Sequence, residues 1–482
     1  MADDATPRSV EESGVSAAAL SALLDRQQRA FLAEPFASLQ TRKERLKRVV
    51  SMLETHEDDF LEAVNADFGG RSKHETILAE ILMTLSAARD ALKHVSAWMR
   101  PRRAPAPLYL APAKARIAPQ PLGVVGVISP WNYPLLLTLS PMIAAIAAGN
   151  RVMIKPSELT AQTSEALDRA IASAFGETEC AVVTGGVDVG KAFSQLPFDH
   201  LIFTGSTKIG VDIARAAAEN LTPVTLELGG KSPAIIDETA DIQAAARSIA
   251  YGKLLNAGQT CVAPDYVLAP SSKIDVIIQA MKSSVAKLYP RVEKTRDYSA
   301  IISERHYARL ERLVDEARQR GADIVPVGDA AQMKARKKLP LTLVINPPKD
   351  CTLMQEEIFG PILPIIPISS RDDAIATVNA KPRPLALYWF GRDRAAREAV
   401  LTQTHSGGVT INDTLRHAAL ESLPFGGVGA SGMGAYHGKT GFDRLSHLKP
   451  IYYQSRFANQ SAIHPPYSRH TDKILKFIRK II

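Results

Sequence analysis

Between residues 20 and 98, apolar positions recur every three or four residues with charges between them, the pattern of amphipathic helices. Residues 1–20 ahead of them read as loose and polar. Prolines 101, 105, 107, 112, 119 and 121 then break the pattern. Proline blocks helix continuation, so this stretch is predicted to be extended and irregular, a bridge or arm between domains. From Gly123 the pattern changes again. Short β-branched runs at 123–129, 151–155, 181–184 and 200–204 read as strands, and 135–148, 157–175, 187–195 and 206–220 read as helices. Such alternation predicts parallel βαβ units in a doubly wound sheet, which binds ligands at the carboxyl ends of its strands. A second alternating block follows, with strands predicted at 234–236, 266–269, 341–345, 362–368, 386–390 and 408–412. Helices such as 304–319 and 371–379 lie between them.

A chain of 482 residues is long enough for about three domain-sized units or two large ones. Its 46% hydrophobic and 22% charged residues are ordinary for a globular protein. The net charge of +8 comes from short basic clusters at 42–45, 100–103 and 334–338 that lack interleaved aromatics. They read as solvated faces, which argues against a nucleic-acid partner and leaves an anionic substrate or cofactor open. The three cysteines, Cys180, Cys261 and Cys351, are odd in number and far apart. That pattern fits neither a disulfide framework nor a zinc site, so no metal is expected, and a reducing compartment, the cytoplasm, is the expected location. The acidic stretch 1–14 lacks the apolar core of a signal peptide. The apolar run 135–148 is interrupted by Thr138, Ser140 and Pro141, too short and broken to span a membrane. The basic amphipathic tail 473–482 is also too short, and packing on a neighbouring subunit is the expected use of its apolar face.

Candidate chemistry centres on Cys261, on a polar turn in Gly258-Gln259-Thr260-Cys261. Glu227 precedes Leu228-Gly229-Gly230 and reads as a carboxylate on a second tight turn. A thiol and a carboxylate at the border between the two α/β blocks suit a nucleophile with a base within reach, in an interdomain cleft. A buried cysteine acting as a small hydrophobe is the competing reading. Gly205 and Ser206, between a strand and a helix, allow a tight turn, a helix N-cap and free N–H groups for a pyrophosphate. Their spacing departs from the usual Gly-x-Gly-x-x-Gly, and a plain β-α turn fits as well. Lys155 and Glu158 suit ribose hydroxyls or an ordinary capped helix start. In Pro130-Trp131-Asn132-Tyr133-Pro134 the Asn132 amide suits a developing oxyanion, or the needs of its own loop. Glu357 and Phe359, in Glu357-Ile358-Phe359-Gly360-Pro361, suit a nicotinamide ribose and ring. Trp131, Tyr133 and Phe425 suit an apolar substrate funnel or simple packing.

Taken together and in order, these segments resemble the NAD(P)-dependent aldehyde dehydrogenase superfamily. Cys261-Val262-Ala263-Pro264-Asp265-Tyr266, the glycine-rich stretch 424–434, Tyr436-His437-Gly438 and His464-Pro465-Pro466-Tyr467 are similar to its class 3 branch, and within that to bacterial coniferyl aldehyde dehydrogenases. The resemblance implies an α/β fold with a doubly wound Rossmann-like cofactor domain, a second α/β catalytic domain and a small oligomerisation arm. Cofactor binding is expected in 1–102 and 122–229, catalysis in 230–430, and bridging in 103–121 and 431–482. It implies oxidation of an aldehyde, aromatic such as coniferyl aldehyde or medium-chain aliphatic, to the carboxylic acid. Cys261 is then the nucleophile, passing through a thiohemiacetal and a thioester. Asn132 steadies the oxyanion and Glu227 activates water. Lys155 and Glu158 hold the adenosine ribose, Gly205 and Ser206 the pyrophosphate, and Glu357, Phe359 and Trp131 the nicotinamide side. NAD is the expected cofactor with NADP also accepted, and a homodimer the expected assembly. A reactive thiol is expected to have a lowered pKa. The competing functions are a CoA-acylating or acyl-phosphate-reducing enzyme of the same fold, and a non-catalytic nucleotide-binding structural protein. A basic nucleic-acid binder is the weakest of the alternatives.

Overall fold

The structure, a computed structural model, describes residues 15–457 and 463–481. The polar stretch 1–14 and Ile482 of the tail lie outside the described residues. Helix begins earlier than the loose reading of 1–20 implied: Ala17–Ala33 starts after Ser16, whose Oγ accepts the Ala19 N–H at 3.2 Å. Ser38 caps Leu39–Thr55 in the same way, through the Thr41 N–H at 3.1 Å. Each cap satisfies one of the N–H groups that a helix start leaves unpaired. Glu57–Phe68 ends at Gly69, in the left-handed conformation at φ +66°. After Ser72, helices Lys73–Thr76 and Leu82–Trp98 are joined by a π-helical turn, Ile77–Ile81. The apolar faces of the helices from Leu39 onward, with Leu46, Val49, Phe60, Leu85 and Val95, share one core with helix Leu136–Ala148 and one face of a sheet, while Leu20 and Leu24 of Ala17–Ala33 pack on its other face.

That sheet has six strands in the order Gly432–Met433, Val224–Leu228, His200–Gly205, Val124–Ile128, Arg151–Lys155 and Cys180–Val182. All neighbours pair in parallel except Gly432–Met433, which is antiparallel to Val224–Leu228. Val125 and Val127 enter one core and Val124 enters another, so both faces are covered and the sheet is doubly wound. A seven-stranded sheet runs Asp323–Val327, Leu341–Ile345, Ile362–Ile368, Tyr266–Pro270, Pro233–Ile236, Ala386–Phe390 and Gly408–Ile411, antiparallel only at its Asp323–Val327 edge.

Two sequence expectations change here. Glu227 lies on a strand rather than a turn. Its segment, Val-Thr-Leu-Glu-Leu, hides an alternating strand behind a charge. The proline-rich stretch is not irregular throughout. Arg102–Ala104 and Lys114–Pro121 pair with each other and with Ser446–Tyr453 in a third, antiparallel sheet. Pro119 and Pro121 fit because Arg102–Ala104 reaches only as far as Ile117, leaving one side of the strand without a neighbour. The segments 103–121 and 446–453 therefore belong together, while Gly432–Met433 joins the six-stranded sheet.

One ion cluster ties the helical cap to this sheet. Arg45 Nε donates to Glu179 Oε1 at 2.8 Å and Arg48 Nη1 to Oε2 at 2.8 Å. Burial alone would raise the Glu179 carboxyl, but the two guanidinia outweigh it and hold it near 2, below the usual 4.5. A carboxyl lowered on folding stabilises the fold above its unfolded value and loses that stabilisation as pH falls through its folded value. Glu179→Gln is expected to lower the unfolding free energy at pH 7 by about 1–2 kcal/mol, after allowing for partial exposure of the cluster. Urea unfolding at neutral pH and near pH 2 checks this, because most of the difference should be lost at the acid end.

Candidate active site

In the six-stranded sheet the chain moves outward from Val124–Ile128 in one direction, then returns to build His200–Gly205 and Val224–Leu228 on the other side. The order reverses between Ile128 and Gly205, and loops leaving such a switch point form a binding crevice. Residues 130–135 leave one of these strands, and Gly205 and Ser206 leave the other. Ser206 is extended, and its Oγ accepts the Ile209 N–H at 3.5 Å, capping helix Thr207–Ala218. A Cβ at Gly205 would meet the Phe203 ring at 2.5 Å, and one at Gly229 would collide with the Glu357 carboxylate, so a side chain at either position would displace a residue lining the site.

Cys261 follows a tight segment from the second block. Asn256 and Ala257 are left-handed at φ +50° and +52°. Gly258 has φ +75°, and a Cβ there would meet Gly360 O at 2.5 Å. Polar contacts fix this strained segment. Asn256 donates its N–H to Glu75 Oε2 at 3.2 Å and its Nδ2 to Asn132 O at 2.9 Å. Gln259 Nε2 donates to Asn256 O at 2.9 Å and Ala300 O at 3.0 Å, while Gln259 Oε1 accepts the Ile302 N–H at 2.9 Å. Asn132 Nδ2 donates to Gln259 O at 3.2 Å, and the Tyr133 hydroxyl lies 2.7 Å from Thr260 Oγ1. The Asn132 loop and the Cys261 loop are thereby locked together across the border of the two blocks.

Two cavities meet at the thiol. One, of about 510 Å³, is lined by Trp131, Asn132, Gly205, Ser206, Glu227, Cys261, Glu357 and Phe359. Eight of the ten residues expected to carry catalysis or hold the cofactor thus surround a single space. Lys155 and Glu158 do not line it. They sit at the end of the neighbouring strand, with Lys155 buried, donating to Pro156 O at 2.7 Å and lying 3.7 Å from Glu158 Oε2. Trp131 meets the Phe359 ring edge-on at 5.4 Å and the His306 ring at 5.0 Å, so it belongs to this side and not to a substrate funnel. The other cavity, of about 410 Å³, is mostly apolar and is lined by Tyr133, Tyr251, Cys261, Phe425 and Tyr436, among others. Tyr133 and Phe425, two of the three aromatics that suited an apolar funnel or packing, both line this cavity. Leu78 and Leu82, partly exposed, also line this cavity, beside the π-helical turn.

Electrostatics at the site is dominated by burial. Both Glu227 carboxyl oxygens are buried without a hydrogen-bond partner, and burial pushes this group well above the usual carboxyl range. Glu357 is pushed to about 8 by burial and by the Asp265 carboxylate, against the Gly230 N–H and the Lys231 and Lys253 ammonium groups. Lys231 is itself paired with Asp265. The expected lowered thiol is not found. Burial, then the Glu357 and Glu227 carboxylates, push Cys261 up to about 12. Burial thus favours the neutral form of both the thiol and the Glu227 carboxyl. Sequence reasoning missed Arg71, Glu75, Glu80 and Asn256, which hold these loops. The first three are charged residues in a helical stretch, where a solvated face is the ordinary reading.

The aldehyde dehydrogenase family model matches residues 11–451. A protein of Pseudomonas aeruginosa named "Probable coniferyl aldehyde dehydrogenase" is 50% identical over 456 residues, covering 95% of each chain. The substrate-bound AldH of Staphylococcus aureus superposes with a TM-score of 0.90 at 40% identity, covering 95% of this chain and 98% of its own. An aldehyde dehydrogenase of Mycobacterium tuberculosis complexed with NAD+ gives a TM-score of 0.82 at 29% identity, covering 93% and 92%.

Proposed function

We propose, from the premise that this chain belongs to the aldehyde dehydrogenase family, that Cys261 attacks the aldehyde, Asn132 steadies the oxyanion and Glu227 prepares the water that frees the acid. The family makes the chain an NAD(P)-dependent oxidoreductase of aldehydes. One observation carries the assignment of roles: the Cys261 sulfur stands where an apolar cavity meets a glycine-cradled cavity that carries charged and polar side chains, with Asn132 and Glu227 on the glycine-cradled side.

The glycine-cradled cavity fits a nicotinamide dinucleotide. The free N–H groups at the start of Thr207–Ala218 and the bare backbone at Gly205 suit a pyrophosphate. Glu357, Phe359 and Trp131 suit the nicotinamide ribose and ring. Lys155 and Glu158 hold the adenosine ribose from the neighbouring strand. A carboxylate there favours NAD over a 2′-phosphate, and Lys155 beside it lets NADP be accepted as well. A nicotinamide bound there would supply the acceptor for the hydride that leaves the carbon attached to Cys261. The Asn132 amide and the Cys261 N–H stabilise the oxygen of that carbon, and Glu227 takes a proton from the water that attacks the thioester.

Coniferyl aldehyde or a similar aromatic aldehyde is the proposed substrate. The aromatic and apolar lining of the 410 Å³ cavity and the name of the Pseudomonas aeruginosa relative support this. Cofactor binding is assigned to 1–102 and 122–229 and catalysis to 230–430, with Gly432–Met433 added to the cofactor sheet. The sheet of 103–121 and 446–453 supports bridging between subunits of a homodimer, since Tyr452 and Tyr453 are about half exposed on it. The tail helix Arg469–Ile481, with Leu475 and Phe477 exposed, is proposed to pack on the neighbouring subunit. Among the described residues no helix is long and apolar enough to cross a membrane, and the cytoplasm is the proposed location.

Formation of NADH with a panel of aldehydes tests the reading. Coniferyl aldehyde is expected to exceed hexanal in kcat/KM by about tenfold or more, with free acid as product whether or not CoA is present. An acyl-CoA product, or no turnover on any aldehyde, would overturn it.

A further inference from the structure

We propose that Arg71 and Glu80 are positioning residues for the oxyanion donor: a buried ion pair that grips the Asn132 loop by its main chain and acts on the reaction through the Asn132 carboxamide. The inference rests on the reading of Asn132 as that donor.

Both side chains are fully buried, and Arg71 Nη1 lies 3.0 Å from Glu80 Oε1. The same Nη1 donates to Asn132 O at 2.9 Å. The guanidinium sits over the Phe68 and Tyr133 rings, at 4.8 and 4.9 Å from their centres, and its Nε and Nη2 have no hydrogen-bond partner. Glu80 Oε2 accepts the N–H groups of Leu135 at 2.7 Å and Leu136 at 3.3 Å. These are the first N–H groups of helix Leu136–Ala148, whose N-cap residue, Leu135, offers no side-chain cap. Glu80 therefore supplies from another helix both the missing acceptor and the negative charge that a helix N-terminus favours.

Every polar contact of the two side chains ends on the other member of the pair or on residues 132–136. A buried pair is commonly replaceable by apolar residues without loss of stability, so its presence calls for a role beyond holding the core. The role lies in what it touches. Its two ends hold the main chain on either side of Tyr133-Pro134, while Asn256 Nδ2 adds a second donor to Asn132 O and Gln259 O receives the carboxamide. The main chain of Asn132 is thus held from both blocks and its side chain from the second, which fixes where its amide points. The π-helical turn makes this reach possible. Within Ile77–Ile81, Glu80 turns into the buried pair while Leu78 and Ala79 line the cavity on the apolar side of Cys261.

The test is a double-mutant cycle with Arg71→Met/Glu80→Gln, which leaves no unpaired buried charge, made in the native and Asn132→Ala backgrounds. In the native background, kcat is expected to fall about a hundredfold, the loss typical of a slightly misplaced reacting group, with the KM for NAD unchanged. In the Asn132→Ala background the same change is expected to cost nothing further. Arg71→Lys, which keeps the charge and loses the planar fork, is expected to show the same dependence in milder form if the double variant does not fold. Losses that multiply with that of Asn132→Ala, or native kcat in the paired variant, would overturn the proposal. Full activity of Asn132→Ala alone would instead overturn the donor assignment on which it rests.

Discussion

Cys261→Ala is expected to abolish aldehyde oxidation, by a factor on the order of 10⁴ or more, while NAD still binds. The loss is large because no other cysteine can take over: Cys180 and Cys351 are buried in the cores of the two α/β blocks. The binding surface survives because what holds a dinucleotide, the start of Thr207–Ala218 and the Gly205 turn, is set by its own strand and cap. Turnover of a saturating aldehyde and NAD titration by fluorescence read the two halves separately. A variant that keeps full rate would remove Cys261 from the mechanism, and one that loses NAD binding would show that its turn supports the cofactor cavity.

Glu227→Gln is expected to separate the two half-reactions. The first turnover should survive as a burst of about one NADH per subunit, and the steady rate should then fall by roughly 10²–10⁴-fold as the thioester waits for a base. Rapid-mixing absorbance measurements resolve burst from steady state. Loss of the burst itself would mean that Glu227 takes the thiol proton rather than a water proton. The pH dependence follows from the same groups. Burial, then the Glu357 and Glu227 carboxylates, raise the Cys261 thiol to about 12, and burial raises Glu227. Both act in their deprotonated forms, and both are protonated below their raised values. Activity is therefore expected to climb as pH rises through the neutral and alkaline range rather than fall.

Much of this site was legible in the sequence because it sits where chain and sheet geometry agree. Gly205 and Ser206 announce a strand end followed by a helix start, and the structure puts them at the switch point. Strands 151–155, 341–345, 362–368 and 386–390 were legible to the residue, being apolar runs buried in parallel sheets. Glu227 was misread as a turn residue because a charge interrupts its strand pattern and Gly229-Gly230 follows at once. Asp323–Val327 escaped as a partly exposed edge with a proline in it. The Arg71, Glu75 and Glu80 contacts were not legible at all. They depend on partners 55 to 224 residues away along the chain, and Glu80 sits in a π-helical turn that the helical pattern does not announce. The resting protonation of Cys261 was likewise hidden, since it arises from which carboxylates face it in space.

Two separate rooms opening on one sulfur also imply separate traffic. The carboxylic acid leaves through the apolar room by which the aldehyde entered, and the reduced dinucleotide leaves through the other. Neither departure requires the other room to empty. The acid product should thus obstruct incoming aldehyde and leave the dinucleotide's entrance clear, so the order in which the two products depart is set by their rates of release and not by one blocking the other's way out.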